Sequence, residues 1–308
     1  MKRIALFTLS LAVVLSILAG CGKESGEGQK TVSILTPYQS SVTTNQMIEV
    51  LKSRAEAKGW KTEVIDTKGD IGQMASRMED VITRKTDAIV IVSTDPGQLE
   101  AQIALAAEKG IPVFGCDSGY IEGMAMNATS DNAEMARMMT EYLFEQIGGE
   151  GQVLALTHRP HPGVLKRSVK LDEMLADYPG ITIINELHVD VPGPIENARK
   201  QVESVLLANK EPGSIKAVWA AWDEPAIGAA QAIENAGRNE IVVAGIDGNS
   251  QAVEMIKEGS PIVATVEQNF TGMAELVIGQ IEKVFAGNPV DASEMYAPAR
   301  LITKDNVQ

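Results

Sequence analysis

The sequence contains very few cysteine, histidine and aromatic residues. Its 308 residues include 2 cysteines and 3 histidines, and Phe, Trp and Tyr together make up 4%. So few thiols and imidazoles argue against a structural metal cluster, and we expect neither a metal nor a cofactor. Cys21 lies in an N-terminal export pattern, which leaves Cys116 without a disulfide partner. Cys116 ends an apolar run and is interpreted as a small core residue.

Basic residues are also scarce relative to acidic ones. The chain has 27 Lys and Arg against 41 Asp and Glu, a formal net charge of −14. An acidic surface argues against nucleic acids and anionic lipid surfaces as partners, because both carry negative charge. Its simplest consequence is solubility, and we expect a monomer.

The N-terminus carries an export pattern. Lys2 and Arg3 precede an almost unbroken apolar run over residues 4–18, which is too short for a membrane-spanning helix. LAGC at 18–21 resembles a lipobox, where a signal peptide is cleaved before a lipidated cysteine. We expect residues 1–20 to be a signal peptide and residues 21–30 to be a lipidated Cys21 with a flexible tether. The body would then lie on the outer face of the cell membrane or in the periplasm, attached by the lipid alone. The alternative is an ordinary signal peptide with an incidental cysteine.

From residue 31 onward, short β-rich runs alternate with longer helical patterns. Predicted strands cover residues 32–36, 62–66, 88–92, 112–116, 152–156, 182–187, 217–220, 241–246 and 262–266. Predicted helices include residues 45–58, 97–109, 133–147, 225–236 and 272–286. Continuous apolar runs such as AIVIV at 88–92 indicate strands buried on both faces. The alternation predicts an α/β fold with parallel sheets and right-handed crossovers.

One β-α-β unit occurs twice. DAIVIVSTDP at 87–96 resembles KAVWAAWDEP at 216–225, and each is followed by a helix and then by a strand ending in an aspartate. These aspartates are Asp117 and Asp247. Two copies predict two similar α/β lobes, and ligands of open parallel sheets bind at the carboxyl ends of the strands. If the lobes face each other, both carboxylates point into one cleft.

This organisation resembles the type I periplasmic sugar-binding proteins of the ribose-binding class, the solute-binding lipoproteins of ABC importers. The motifs in matching order are GW at 59–60, KGIPV at 109–113, ATSDN at 128–132, WDE at 222–224, VAGIDG at 243–248 and ATVEQ at 264–268. The resemblance implies two Rossmann-like lobes, a three-strand hinge and an interlobe ligand cleft. We place the hinge crossings near Thr129, Glu267 and Tyr296. The first lobe then comprises residues 31–129 and 268–295, and the second comprises 130–267 and 296–308.

Three site residues carry over from the family pattern. Asp117 and Asp247 match the carboxylates that accept hydrogen bonds from ligand hydroxyls, and Gln268 matches a polar residue at the second crossing. An ionised carboxylate accepts from two neighbouring hydroxyls, through bonds roughly twice as strong as neutral ones. The resemblance therefore implies capture of a small neutral carbohydrate (a monosaccharide, deoxysugar or polyol) and its delivery to an ABC permease.

Other positions depart from the family pattern. Thr43 and Thr44 replace a pair of aromatic residues, and Ser40, Val92 and Trp222 replace Asn residues. Ser118 replaces an Arg. Leu165 replaces the cleft Arg, with Lys166 and Arg167 adjacent. We retain Ser40, Ser118 and Arg167 as candidate ligand contacts. The departures argue against a ribose site as such.

Two aromatic residues complete the candidate site. Trp222 offers a ring face to the C–H side of a sugar, with a core position as the alternative, and Tyr38 is a candidate second wall. Trp219, inside a predicted strand, is interpreted as core. Asp223 is interpreted as a helix N-cap.

The loop THRPHPG at 157–163 allows two interpretations. His158 or Arg159 lies at the cleft edge and donates to hydroxyls, or the loop is a Pro-stiffened surface turn. His158 and His161 are too few to bind a metal ion, because no cysteine or acidic cluster accompanies them.

Three other functions share parts of this pattern. A sensory receptor would present a signalling furanose or sugar to a chemotaxis or kinase partner, and only neighbouring genes would distinguish it from a transport receptor. A carbohydrate enzyme could use the two carboxylates as acid and base, but no nucleophile elbow, phosphate loop or metal set accompanies them, and we expect no enzyme. A lac-repressor-type regulator is excluded by the export signal and by the lack of an N-terminal helix-turn-helix.

Overall fold

Residues 28–307 are described by a computed structural model. The predicted signal peptide, Cys21 and most of the tether lie outside the described residues. The strands are β1 (Thr31–Thr36), β2 (Lys61–Asp66), β3 (Ala88–Val92), β4 (Val113–Cys116), β5 (Met126–Thr129), β6 (Glu150–Thr157), β7 (Gly180–His188), β8 (Ala217–Ala220), β9 (Val242–Asp247), β10 (Ile262–Glu267), β11 (Glu294–Tyr296) and β12 (Arg300–Thr303). The helices are α1 (Val42–Ala57), α2 (Ile71–Thr83), α3 (Glu100–Glu108), α4 (Asn132–Gln146), α5 (Pro162–Met174), α6 (Pro194–Ala208), α7 (Asp223–Asn235), α8 (Ser250–Glu258) and α9 (Phe270–Phe285), and a 3-10 turn (Pro96–Leu99) precedes α3.

The strands form two six-stranded sheets, each the centre of one α/β lobe. The first sheet has the order β11-β5-β4-β3-β1-β2 and the second has the order β12-β10-β9-β8-β6-β7. Every pairing is parallel except β10 with β12. Strands β1–β5 take the same order as β6–β10, so the repeated unit seen in the sequence extends to five strands of each sheet. The predicted pair of similar lobes is confirmed.

The chain passes between the sheets three times, after β5, after β10 and after β11. Helix α4 follows the first passage and is capped by the Asp131 side chain, and α9 follows the second and is capped by Asn269. Tyr296, which the sequence assigns to the second lobe, ends β11 and pairs with Thr129 in the first sheet. These passages form the three-strand hinge.

The lobes have separate apolar cores. All five residues of β3 are buried, as the run AIVIV predicts. Trp219 in β8 is fully buried, and its indole Nε1 donates to Thr140 Oγ1 at 2.9 Å, which confirms its core position. Cys116 is also buried, with its Sγ 3.6 Å from Met47 Sδ, and burial raises the pKa of its thiol well above the usual value. No helix in the described range combines the length and apolar character that crossing a bilayer requires.

Helices α6 and α7 approach closely at Gly228. A Cβ atom at this position would lie 2.2 Å from the Ile195 carbonyl oxygen and 3.0 Å from the Arg199 backbone nitrogen. Real Cβ atoms do not approach backbone this closely, so any larger residue would push the helices apart. Gly228 therefore fixes the position of α7, whose N-terminus reaches the cleft.

We expect Gly228→Ala to destabilise the fold by about 1–3 kcal/mol, because the added methyl group overlaps main-chain atoms. The matched control is Gly279→Ala in α9, where a Cβ would meet nothing within 4 Å. That change should be neutral or should stabilise by up to about 1 kcal/mol, through helix propensity alone. Urea unfolding curves of both variants provide the measurement. Equal stabilities would show that the α6–α7 contact tolerates a side chain.

Candidate functional site

A cavity lies between the two lobes at the carboxyl ends of their strands. Its empty space, including the part open to solvent, is about 490 Å³. The first lobe contributes Tyr38, Ser41, Thr43, Thr44, Ser93 and Asp117. The second lobe contributes His158, His161, Val164, Arg167, Val191, Trp222, Glu224 and Asp247. The two aspartates singled out by the sequence repeat therefore line one cavity.

Both aspartates occupy unusual backbone conformations. Asp117 directly follows β4 and has a φ of 52°, and Asp247 ends β9 with a φ of 147°. Ser93, which directly follows β3, has a φ of 52°. Residues other than glycine rarely adopt positive φ, and such strain concentrates where a side chain must be held in a site. Three sharply turned strand ends thus contribute side chains to the cavity.

Asp117 is 7% exposed and only partly hydrogen-bonded. Its Oδ2 accepts from Ser93 Oγ at 3.4 Å and lies 3.8 Å from His161 Nε2. Its Oδ1 is buried and has no hydrogen-bond partner among residues 28–307. Burial raises the pKa of Asp117 to about 6, although Arg167 and Ser93 act in the opposite direction. A buried oxygen of this kind is suited to accept a hydrogen bond from a bound molecule.

Asp247 is more fully engaged by neighbouring side chains than Asp117 is. Its Oδ1 accepts from Gln268 Nε2 at 2.8 Å and lies 3.7 Å from a terminal nitrogen of Arg167. Burial raises the pKa of Asp247 well above its usual value; Arg167 lowers it, while Asp223 and Asp117 raise it further. The site therefore concentrates acidic groups around one guanidinium.

Asp223 lies behind this group and does not cap its helix as predicted. Trp222 occupies the N-cap position of α7. The Asp223 carboxylate accepts from the Asn249 backbone N–H at 2.7 Å and from Thr265 Oγ1 at 2.8 and 2.9 Å. Its side chain therefore ties α7 to the loop after β9, through Asn249, and to strand β10, through Thr265. Burial raises the pKa of Asp223 to about 6.

Arg167 is the cation of the site. It is 2% exposed, and its Nε donates to Asn132 Oδ1 at 2.8 Å and its Nη1 to the Ala221 carbonyl at 2.7 Å. Leu165, which the sequence places where the family has its cleft arginine, is 42% exposed instead. A shift of two residues along α5 turns the side chain from solvent to the cavity.

His158 and His161 also line the cavity, so the loop at 157–163 is not a surface turn at these two positions. His158 Nδ1 lies 2.9 Å from the Val189 carbonyl oxygen. His161 caps α5, and its Nδ1 accepts from the backbone N–H groups of Gly163 and Val164 at 3.1 and 3.4 Å. Burial lowers the pKa of both rings, that of His161 to about 3. Both rings are therefore neutral near pH 7.

The aromatic candidates surround His158. Its ring centroid lies 6.1 Å from that of Tyr38 and 6.2 Å from that of Trp222, in edge-to-face arrangements. Trp222 is 8% exposed and reaches the cavity while packing against the second core. Trp222 is therefore both a wall of the cavity and a core residue, the two positions that the sequence left open.

Glu224 is a cavity residue that the sequence analysis missed. It is 6% exposed, and its Oε2 accepts from Ser41 Oγ at 3.0 Å across the cleft. Burial raises the pKa of Glu224, although hydrogen bonds from Ser41, Trp222 and Val42 lower it. A signal was present, because Glu224 follows Trp222 and Asp223 directly at a predicted strand end.

Four predicted ligand contacts lie outside the cavity lining. Ser40 is exposed, and its neighbour Ser41 lines the cavity instead. Ser118 is buried in the first lobe, where its Oγ donates to the Ile91 carbonyl. Arg159 points away from the cavity and pairs with acidic side chains on β7 and α5. Gln268 is buried beside Asp247, behind the lining residues.

Within residues 28–307, no group of three or more His, Cys, Asp and Glu side chains is arranged to hold a metal ion. The nitrogens of His158 and His161 that face the main chain already have partners. The polar atoms that remain are suited to hydrogen bonding.

Removing the Asp117 charge should stabilise the protein in the absence of ligand. The wild-type carboxylate carries a cost above pH 6 that fades as the pH falls towards its ordinary pKa of 3.8. We expect Asp117→Asn to gain at most about 3 kcal/mol at pH 7.5. The gain should shrink between pH 6 and pH 4. Urea unfolding at several pH values, without added sugar, measures it. The control is Asp177→Asn, which removes an exposed carboxylate. A stability gain in Asp117→Asn that does not change with pH would contradict the raised pKa of Asp117.

Comparisons with known proteins agree with this architecture. Residues 32–289 match the periplasmic binding protein domain. The xylitol-binding protein of Mycolicibacterium smegmatis is 24% identical over 319 residues, covering 99% of this chain and 87% of the relative. The ribose import binding protein of Bacillus subtilis is 26% identical over 255 residues, covering 82% of this chain and 81% of the relative.

Solved structures extend the comparison to three dimensions. An ABC transporter solute binding protein from Agrobacterium vitis, with bound allitol, has a TM-score of 0.86 and 28% identity, and the match covers 91% of this chain and 97% of that one. An ABC sugar transporter subunit from Rhodobacter sphaeroides has a TM-score of 0.85 and 28% identity, covering 90% and 99%. Because the domain match takes in most of the sequence and both lobes, this chain belongs to the periplasmic binding protein family and has its type I fold.

Proposed function

We propose that the protein is an extracytoplasmic receptor that captures a small neutral carbohydrate and delivers it to an ABC transporter permease. The observation that carries the proposal is the interlobe cavity with buried acceptor atoms that no described residue engages. These atoms are Asp117 Oδ1 and His158 Nε2. Hydroxyl groups would donate to both, and burying such acceptors unpaired is costly.

The charge of the site supports a neutral ligand. Asp117, Asp247 and Glu224 line the cavity, and Arg167 is the single Lys or Arg among the lining residues. Anionic ligands would be repelled by this excess of carboxylates, whereas hydroxyls supply donors without adding charge. Monosaccharides, deoxysugars and polyols meet this requirement.

The relatives support the same class of ligand. Their names refer to xylitol and ribose, and one solved neighbour holds allitol. All are polyhydroxylated and uncharged. We infer a binding role without catalysis, because Asp247 is already held by Gln268 and Arg167, and the family is one of solute-binding proteins. Turnover of a bound sugar, seen by chromatography, would contradict this inference.

A ligand panel tests the function. Protein stripped of bound molecules by unfolding and refolding is titrated with D-ribose, xylitol, allitol, hexoses and deoxysugars in a calorimeter. A true ligand at a hundredfold excess over its Kd should stabilise the fold by about 2.7 kcal/mol. No binding by any member would count decisively against the proposal.

The two aspartates should control affinity. We expect Asp117→Ala and Asp247→Ala each to weaken binding by about 3 kcal/mol, because hydroxyls of the enclosed ligand lose their acceptors. Arg159→Ala, outside the cavity, is the control and should bind normally. Calorimetry with the best panel member gives both values. Normal affinity in either aspartate variant would show that the site is elsewhere.

We also propose that Cys21 is lipidated and holds the receptor at the outer face of the cell membrane through the tether, with the folded body acting as a monomer. The support is the basic start, the apolar run and the LAGC tetrapeptide. Metabolic labelling with palmitate should mark the wild type and Cys116→Ser but not Cys21→Ser. Equal labelling of all three would overturn the anchor.

A further inference from the structure

Two of the three histidines of the chain face the candidate ligand cavity, and the main chain determines how each ring presents itself. His158 follows β6 and His161 caps α5, so both belong to the second lobe. Each ring has its Nδ1 engaged by backbone atoms. The identity of those backbone atoms decides where the single hydrogen of each neutral ring lies.

In His158 the hydrogen lies on Nδ1. This nitrogen is 2.9 Å from the Val189 carbonyl oxygen, which can only accept a hydrogen bond. A neutral ring that donates from Nδ1 carries a lone pair on Nε2. The residue is 9% exposed, and its Nε2 atom is buried without a hydrogen-bond partner in the described part of the chain. His158 therefore presents a bare acceptor to the cavity.

In His161 the hydrogen lies on Nε2. Its Nδ1 receives hydrogen bonds from the backbone N–H groups of Gly163 and Val164, which can only donate. Nδ1 must therefore hold the lone pair, and Nε2 carries the hydrogen. Nε2 lies 3.8 Å from Asp117 Oδ2, which is longer than a hydrogen bond. His161 therefore presents a donor next to the Asp117 carboxylate.

We infer that His158 and His161 determine ligand specificity as an acceptor and a donor of fixed direction. The inference rests on the proposed function. A hydroxyl of the ligand donates to His158 Nε2, and another ligand oxygen accepts from His161 Nε2–H. Because Asp117 Oδ1 also accepts, the ligand must bring at least two hydroxyl hydrogens to this side of the cavity. If either hydroxyl that donates to His158 or Asp117 is converted to an O-methyl ether, the ligand keeps that oxygen but loses the required hydrogen.

The two histidines allow substitutions that spare the backbone contact. In His158→Asn the side-chain amide can still donate to the Val189 carbonyl, and in His161→Asn the side-chain oxygen can still cap α5. Both variants remove the part of the ring that carries Nε2. His158→Gln places a carbonyl oxygen near the former Nε2 and should restore part of the binding. His188→Asn is the control, because its ring lies 4.9 Å from His158 and does not line the cavity.

The probes are D-ribose, xylitol and allitol, followed by mono-deoxy and mono-O-methyl forms of whichever binds best. We expect His158→Asn and His161→Asn to lower affinity about tenfold or more, with the unfolding midpoint of the ligand-free protein nearly unchanged. His188→Asn should bind as the wild type does. Wild-type affinity in both cavity variants, or equal affinity for every mono-O-methyl form, would overturn the inference.

A ligand-free measurement separates this inference from the proposed function. Nitrogen-15 NMR of the histidine side chains should show the Nδ1–H form for His158 and the Nε2–H form for His161. The reverse assignment, or a charged ring at pH 7, would contradict the inference that His158 is the acceptor and His161 the donor. If no probe binds while the two forms appear as expected, the proposed function fails and the donor–acceptor geometry stands.

Discussion

The burial of Asp117 and Asp247 around Arg167 is the constraint on which the rest of the site depends. Removing a carboxylate from water is costly unless hydrogen bonds or opposite charges replace the lost hydration. Here Gln268 and Arg167 engage Asp247, whereas Asp117 keeps one buried oxygen without a described partner. The carboxylates are thus compensated enough for the protein to fold, while Asp117 keeps an acceptor free for a bound ligand.

The two carboxylates are buried in an arrangement in which the lobes lie close together. Asp117 is on the first lobe and Asp247 on the second, yet each is less than 10% exposed. Direct contacts span the cleft, including Ser41 Oγ with Glu224 Oε2 at 3.0 Å and Lys166 Nζ with Glu294 Oε1 at 3.9 Å. The structure is therefore a closed form, in which the cost of burying carboxylates opposes closure. Donors on a bound molecule would offset that cost, so ligand binding and closure stabilise each other.

Much of the fold could be predicted because it depends on local pattern. Buried parallel strands need continuous apolar runs, and AIVIV at 88–92 has that form. The repeat located Asp117 and Asp247 without any knowledge of their surroundings. Side-chain direction could not be predicted in the same way. Ser118 turns into the first lobe to bond the Ile91 carbonyl, and Arg159 turns outward to acidic partners on β7 and α5. These choices depend on residues far away in sequence.

Two hinge passages deliver polar side chains directly to the charged groups of the site. Asn132 follows the first passage; its Nδ2 donates to the Ser130 carbonyl at 3.1 Å, and its Oδ1 accepts from Arg167. Gln268 lies in the second passage and donates to Asp247. A rotation about these passages would move Asn132 and Gln268 relative to the two charges. The hydrogen bonds that hold the guanidinium and the carboxylate in place are therefore part of the hinge itself, and this connects the geometry of the ligand site to the angle between the lobes.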